Sequence, residues 1–264
     1  MTVQMDDLGQ SLSQDELTHD AFLGGRVQAW QPRKGFRSGI DAVLLAAAVP
    51  AQPGQHVLEL GCGVGVASLC LNARVPGLRL AGVDMQDAYV RLARRNASQA
   101  QANLTVEQST IPDLPLDIRQ TSFDHVFINP PYFDRDKGSD AADGGRDLAR
   151  GGSTSMADWI DTATRRLKPG GVLTLVQRVA QLPVILASLS DRLGHVRVLP
   201  LAPRDTAPPS LFLLSATKGR RTPFELRPTC VLHSGPRHGA ADNAYRPEIE
   251  AVLRHAAPLT ALMD

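Results

Sequence analysis

The stretch HVLELGCGVGVASLCLNARV, residues 56–75, decides the fold. A short apolar run ends in three glycines at alternate positions, Gly61, Gly63 and Gly65, and an apolar-periodic segment follows at once. The run reads as a buried strand and the segment as a helix. Glycine permits the sharp turn between them and lets a ligand approach bare backbone. The carboxyl end of a first parallel strand is where a doubly wound sheet holds its ligands.

Outward from this turn, strand and helix alternate. Downstream come LRLAGVD (strand), QDAYVRLARRNASQAQ (helix, with Tyr89, Leu92 and Ala93 on its apolar face), NLTVEQ (strand) and SFDHVFI (strand). SMADWIDTATRRL reads as a helix, GVLTLVQ as a strand and residues 180–193 as a helix. HVRVLPL and SLFLLSAT then form a hairpin that finishes the sheet antiparallel, with Pro200, Pro203, Pro208 and Pro209 at and between the two runs. Upstream, SGIDAVLLAAAV (38–49) reads as a helix with Ser38 as N-cap and Pro50 as its stop. The tail suggests an extended run at FELRPTCVLH and a short helix from Tyr245 to His255. This succession predicts a mostly parallel sheet with helices on both faces.

Composition narrows the class. The 264 residues are 43% hydrophobic but only 5% aromatic, enough for one large α/β domain with an aliphatic core. The expected division is a flexible acidic tail over residues 1–20 and one domain over 21–264. Within that domain the core spans about 38–217 and an extension 218–264. No apolar run is long enough to span a membrane, and the N-terminus has no signal-like pattern, so a cytoplasmic location is expected. Cys62, Cys70 and Cys230 show no metal-ligand spacing, which argues for reduced thiols and no metal. Net charge is +1, but five of the 27 acids lie in the first twenty residues, which hold no Lys or Arg. The rest of the chain is modestly basic. That is compatible with RNA and equally with an ordinary solvated surface.

Asp84 ends the second core strand, nineteen residues after Gly65. A carboxylate there accepts both ribose hydroxyls of an adenosine moiety, or else caps the next helix. The spacing G-x-G-x-G, unlike the dinucleotide G-x-G-x-x-G, favours S-adenosylmethionine over NAD. Glu59 lies just before the loop, where it orders the loop backbone or reaches the amino-acid end of the cofactor.

Asn129-Pro130-Pro131-Tyr132 follows the strand SFDHVFI. Each proline fixes φ and lacks an N–H, which leaves a stiff backbone with free carbonyls. The Asn129 side-chain oxygen and the Pro130 carbonyl can accept the two hydrogens of a planar amino group, and Tyr132 can stack on its ring. The alternative is a rigid turn without chemistry. The next 23 residues, FDRDKGSDAADGGRDLARGGSTS, form a long aperiodic segment whose Arg135, Lys137, Arg146 and Arg150 could hold phosphates. The same holds for Arg33, Lys34 and Arg37, and for Lys218, Arg220 and Arg221.

Together VLELGCGVG, Asp84, NPPY and Lys168-Pro169-Gly170-Gly171 resemble the amino-methylating branch of the Rossmann-like class I methyltransferases, over about residues 38–217. Residues 31–42 (QPRKGFRSGIDA), NPPYF and the Gly/Arg-rich segment leading to KPGG resemble, more closely, the bacterial tRNA1(Val) (adenine-37-N6)-methyltransferase family. The resemblance implies a seven-stranded sheet with an antiparallel final hairpin strand. It also implies S-adenosylmethionine as cofactor and tRNA as partner. The upstream segment, with Arg37 and Asp41, would help cover the cofactor. The implied cofactor site comprises Arg37, Asp41, Glu59, Gly61, Cys62, Gly63, Gly65, Asp84, Met85, Thr110, Ile111 and Asn129. The implied catalytic residues are Asn129, Pro130, Pro131 and Tyr132. One departure is that Thr110 and Ile111 stand where the family has Gly-Asp, so adenine recognition would rest on backbone groups. The rivals are a protein-glutamine N5-methyltransferase, an rRNA guanine-N2 methyltransferase, an NAD-dependent oxidoreductase and a non-catalytic RNA-binding protein. No second phosphate fingerprint supports the oxidoreductase, and an intact NPPY argues against a vestigial site.

Overall fold

The computed structural model describes residues 13–131, 154–189, 191–235 and 244–262. The described chain opens with an antiparallel hairpin of β1 (Leu17–Phe22) and β2 (Val27–Pro32). The expected polar tail over residues 1–20 is corrected here, because Leu17–Asp20 are strand. The Asp20 carboxylate accepts hydrogen bonds from Gln31 Nε2 (2.8 Å) and Arg37 Nη2 (2.6 Å), so it is tied into the fold. Residues 1–12 lie outside the described residues.

α1 (Ile40–Ala48) begins after Gly39 and not after Ser38. The Ser38 N–H and carbonyl are both engaged by the Gln31 amide, which fixes Ser38 before the cap position. The alternation then unfolds as β3 (His56–Leu60), α2 (Val66–Arg74), β4 (Arg79–Asp84), α3 (Asp87–Gln99) and β5 (Leu104–Gln108). A short helix absent from the sequence reading, α4 (Leu116–Gln120), precedes β6 (Phe123–Ile128). α5 (Met156–Arg166) is started by a capping box between Ser155 and Asp158. β7 (Leu167–Arg178) extends the expected strand backward through Lys168-Pro169-Gly170-Gly171. Lys168 Nζ is held there by Asp124 Oδ1 at 2.8 Å. α6 (Leu182–Ser188) ends well before the expected residue 193, and the chain turns into β8 (Leu193–Ala202) and β9 (Leu211–Lys218).

The run FELRPTCVLH is not one strand. Pro228, which lacks an N–H, divides it into β10 (Glu225–Leu226) and β11 (Cys230–Val231). α7 (Pro247–His255) starts two residues later than expected, with Pro247 at its first position. Tyr245 instead stacks on His233 with ring centroids 4.5 Å apart.

The sheet order is β10-β8-β9-β7-β6-β3-β4-β5, with β11 also on β8. β5, β4, β3, β6 and β7 are mutually parallel, and β9 runs antiparallel between β7 and β8. The seven long strands are those expected, and β10 and β11 are additions from the extension. Alternate side chains serve opposite faces: Val57 and Phe127 join a core under α1, α2, α3 and α7, while Leu58 and Ile128 join a second core under α4, α5 and α6. The strand order reverses at β3, between β4 and β6, and a crevice opens at the carboxyl ends of those three strands.

Candidate active site

The loop after β3 is strapped to β4, since the N–H groups of Gly61 and Cys62 both donate to the Val83 carbonyl, at 2.8 and 2.9 Å. Gly61 has φ +69°, and a Cβ on it would lie 2.6 Å from the Trp159 indole of α5. Only glycine fits there, and the indole closes over it. Asp84, at the end of β4, faces the loop. Its Oδ2 accepts from the Gly63 N–H and its Oδ1 from the Gln86 N–H, each at 2.9 Å. Burial pushes the Asp84 pKa above the ordinary carboxylate value, against the opposing pull of the Gln86, Gly63 and Met85 N–H groups.

Gly61, Gly63, Asp84, Gln86 and Trp159 line a cavity of about 330 Å³. Val83, Met85, Ile111 and Pro112 supply apolar wall, and Asn129, Pro131, Thr154, Asp158 and Trp159 form the side toward α5. Phe36 and Tyr89 close the remaining side. Tyr89 holds Phe36 by its backbone: the hydroxyl accepts from the Phe36 N–H at 2.9 Å and donates to the Phe36 carbonyl at 3.2 Å. Gly35 (φ +97°) permits that approach, because a Cβ there would lie 2.9 Å from the same hydroxyl. On the far wall, Thr154 Oγ1 donates to the Ile111 carbonyl at 3.0 Å.

The cavity thus brings together Gly61, Gly63, Asp84, Met85, Thr110, Ile111, Asn129 and Pro131 from the sequence reading. It does not bring Arg37, Asp41, Glu59, Cys62, Gly65 or Pro130 to its wall. Arg37 turns away to Asp20, Thr18 and the Pro32 carbonyl, and so anchors the segment that carries Phe36. Asp41 sits half-buried in the first turn of α1. Glu59 is buried beneath the loop, where it accepts from the Ser68 N–H at 3.1 Å and the Ser68 hydroxyl at 2.5 Å, and burial pushes its pKa up to about 8. The Cys62 thiol packs against Gly82 of β4, and burial raises its pKa far above the ordinary thiol value. Gly65 caps α2. Pro130 is buried between Asn129 and Pro131, the two residues of the tetrapeptide that line the cavity. Tyr132 and the basic residues Arg135, Lys137, Arg146 and Arg150 lie outside the described residues.

Phe36, Tyr89, Ser109, Asp158 and Trp159 were missing from the sequence-based site. Tyr89 and Trp159 sit at apolar positions of helical periods, where pattern alone assigns them to the core. Phe36 lies inside the segment 31–42 already singled out.

The cavity's chemistry fits an adenosine-bearing cofactor. A floor of bare glycine backbone takes a close-lying chain, and the half-buried Asp84 carboxylate faces no cation in the described wall, so hydroxyl donors suit it. The apolar walls suit a flat base.

Residues 38–201 match the family model of the methyltransferase small domain. A tRNA1(Val) (adenine(37)-N6)-methyltransferase of Porphyromonas gingivalis is 32% identical over 197 residues, covering 69% of this chain and 76% of that protein. An enzyme of the same name from Tolumonas auensis is 28% identical, covering 84% of this chain and 90% of its own. Among solved structures, a predicted O-methyltransferase of Agrobacterium tumefaciens superposes with a TM-score of 0.67 at 23% identity, covering 83% of this chain and 97% of that one. That likeness establishes the fold. The chain belongs to the methyltransferase small-domain family and, within it, to the tRNA1(Val) (adenine(37)-N6)-methyltransferases.

Proposed function

We propose that this protein transfers a methyl group from S-adenosylmethionine to the exocyclic N6 of an adenine in tRNA, near the anticodon. The observation that carries the reading is the placement of Asn129 and Pro131, after β6, in the same cavity as Gly61, Gly63 and Asp84. S-adenosylmethionine, when bound, supplies an electrophilic methyl on a neutral leaving group. Asp84 would accept the ribose hydroxyls, the Gly61–Gly63 backbone would take the amino-acid end, and Ile111 and Met85 would flank the adenine. Asn129 Oδ1 and the Pro130 carbonyl accept the two hydrogens of the target amino group. These two acceptors would fix the orientation of the amine, and positioning in a desolvated pocket supplies the catalysis. The proton leaves after transfer, so no strong general base is required.

Asn129→Ala tests this reading. The contact strengthens as the nitrogen becomes pyramidal, so its loss should lower the single-turnover rate on unmodified tRNA by a factor on the order of 10² to 10³. S-adenosylhomocysteine affinity should stay close to the parent's. A near-parental rate would reduce the tetrapeptide to a rigid turn, and equal activity on a glutamine-bearing peptide would favour the protein-substrate rival.

A further inference from the structure

Gln177 is fully buried in β7, next to the strand that carries the tetrapeptide. β6 and β7 pair in parallel, with Ile128 opposite Leu175, so continuing the register two residues sets Pro130 opposite Gln177. Pro130 and Pro131 have no N–H, and the backbone ladder stops there. The Gln177 side chain continues it. Its Nε2 donates to the Pro130 carbonyl at 3.2 Å, and its Oε1 accepts from the Arg178 N–H at 2.8 Å. Both ends of the amide are engaged, which offsets the cost of burying it.

We infer that Gln177 is a positioning residue that aims the Pro130 carbonyl at the target amino group. The inference rests on the proposed function. A carbonyl oxygen has two lone pairs. Gln177 occupies one, which fixes the orientation of the peptide group and leaves the second for an amino hydrogen. The neighbouring strand holds this carbonyl through the Gln177 side chain. A misplacement of about 1 Å at a reacting centre costs a factor on the order of 10² in rate.

Two variants test it. Gln177→Met keeps the length and removes the donor. Gln177→Glu keeps the shape and makes the donor conditional: protonated, its hydroxyl donates to Pro130 and its carbonyl still accepts from Arg178, whereas ionised it opposes its lone pairs to those of Pro130. Single-turnover methylation at saturating S-adenosylmethionine and tRNA should fall about 10- to 100-fold in Gln177→Met. S-adenosylhomocysteine affinity and the KM for tRNA should not move. The Gln177→Glu rate, taken relative to the parent at each pH, should rise toward one as pH falls. A role in stability alone would lower Tm and leave both rate readouts unmoved. The inference is overturned if folded Gln177→Met stays within about twofold of the parent, or if the Gln177→Glu ratio is flat with pH. Should Gln177→Met fail to fold, that ratio decides alone. Asn129→Ala separates the two failures. Retention of rate there sinks the amino-acceptor reading and this inference with it, while loss of rate there beside a normal Gln177→Met sinks only the role of Gln177.

Discussion

Glu59 is a buried acid that braces the glycine loop from beneath. Its carboxyl is sealed under α2 and hydrogen-bonded to Ser68, and burial lifts its pKa from 4.5 to about 8. Between those two values the native chain keeps a proton that the unfolded chain has released. Stability therefore falls as pH rises through that window, and the loss is complete above the folded pKa. Glu59→Gln preserves an oxygen for the Ser68 donors and removes the titration. Urea melts at about pH 5 and about pH 8 should show the variant gaining on the parent as pH rises. Parallel curves would mean that the native carboxyl is already ionised. At this scale the sequence was legible where chemistry is local. Gly61, Gly63 and Asp84 could be placed from spacing alone, because a strand-turn-helix allows few geometries. Glu59 and Cys62 could not. Adjacent residues on a strand point to opposite faces, and at the end of β3 only the fold determines which face lines the cavity.

The segment carrying Phe36 is one element of the site held by another. Arg37 and Gln31 tie its ends to the β1–β2 hairpin, and the Tyr89 hydroxyl grips its middle. Tyr89→Phe keeps the ring and removes two hydrogen bonds, each worth about 0.5–1.5 kcal/mol. S-adenosylhomocysteine binding should weaken by about tenfold, read by calorimetry, with the rate at saturating cofactor little changed. Unchanged affinity would show that the segment does not close on the cofactor. The core strands and helices were legible because their periodicity is strong. The hairpin was not, because His19 and Ala21 of β1 are exposed and its sequence reads as a polar tail. Its partners lie far away in sequence: the Trp30 N–H donates to Asn96 on α3 at 2.8 Å, and Arg95 lies 4.3 Å over the Trp30 ring. The end of α1 shows the same limit, since Ser38 has capping chemistry but its backbone is already committed to Gln31.

Across the whole molecule, the two halves of the sheet divide the work. β3, β4 and β5 with their loops face the proposed cofactor, and β6 and β7 carry the tetrapeptide and its support. The extension lies beyond both. Its two-residue strands run beside β8, with Glu225 opposite Arg197 and Cys230 opposite Leu201, while α7 buries Ile249, Val252 and Leu253 against the core. The proline spacing that broke FELRPTCVLH into short pieces therefore has a colloidal consequence. β8 is ten residues long and rich in branched aliphatics, and without β10 and β11 its outer N–H and C=O groups would form an open template for pairing with another chain. The short pieces satisfy part of that template, and Pro223 and Pro228 beside them cannot donate to a further strand. A chain ending at Gly219 should thus self-associate, with light scattering that grows with concentration, whereas the full chain should stay monodisperse under the same conditions. A truncated chain that remained monodisperse would show that β8 needs no such cover.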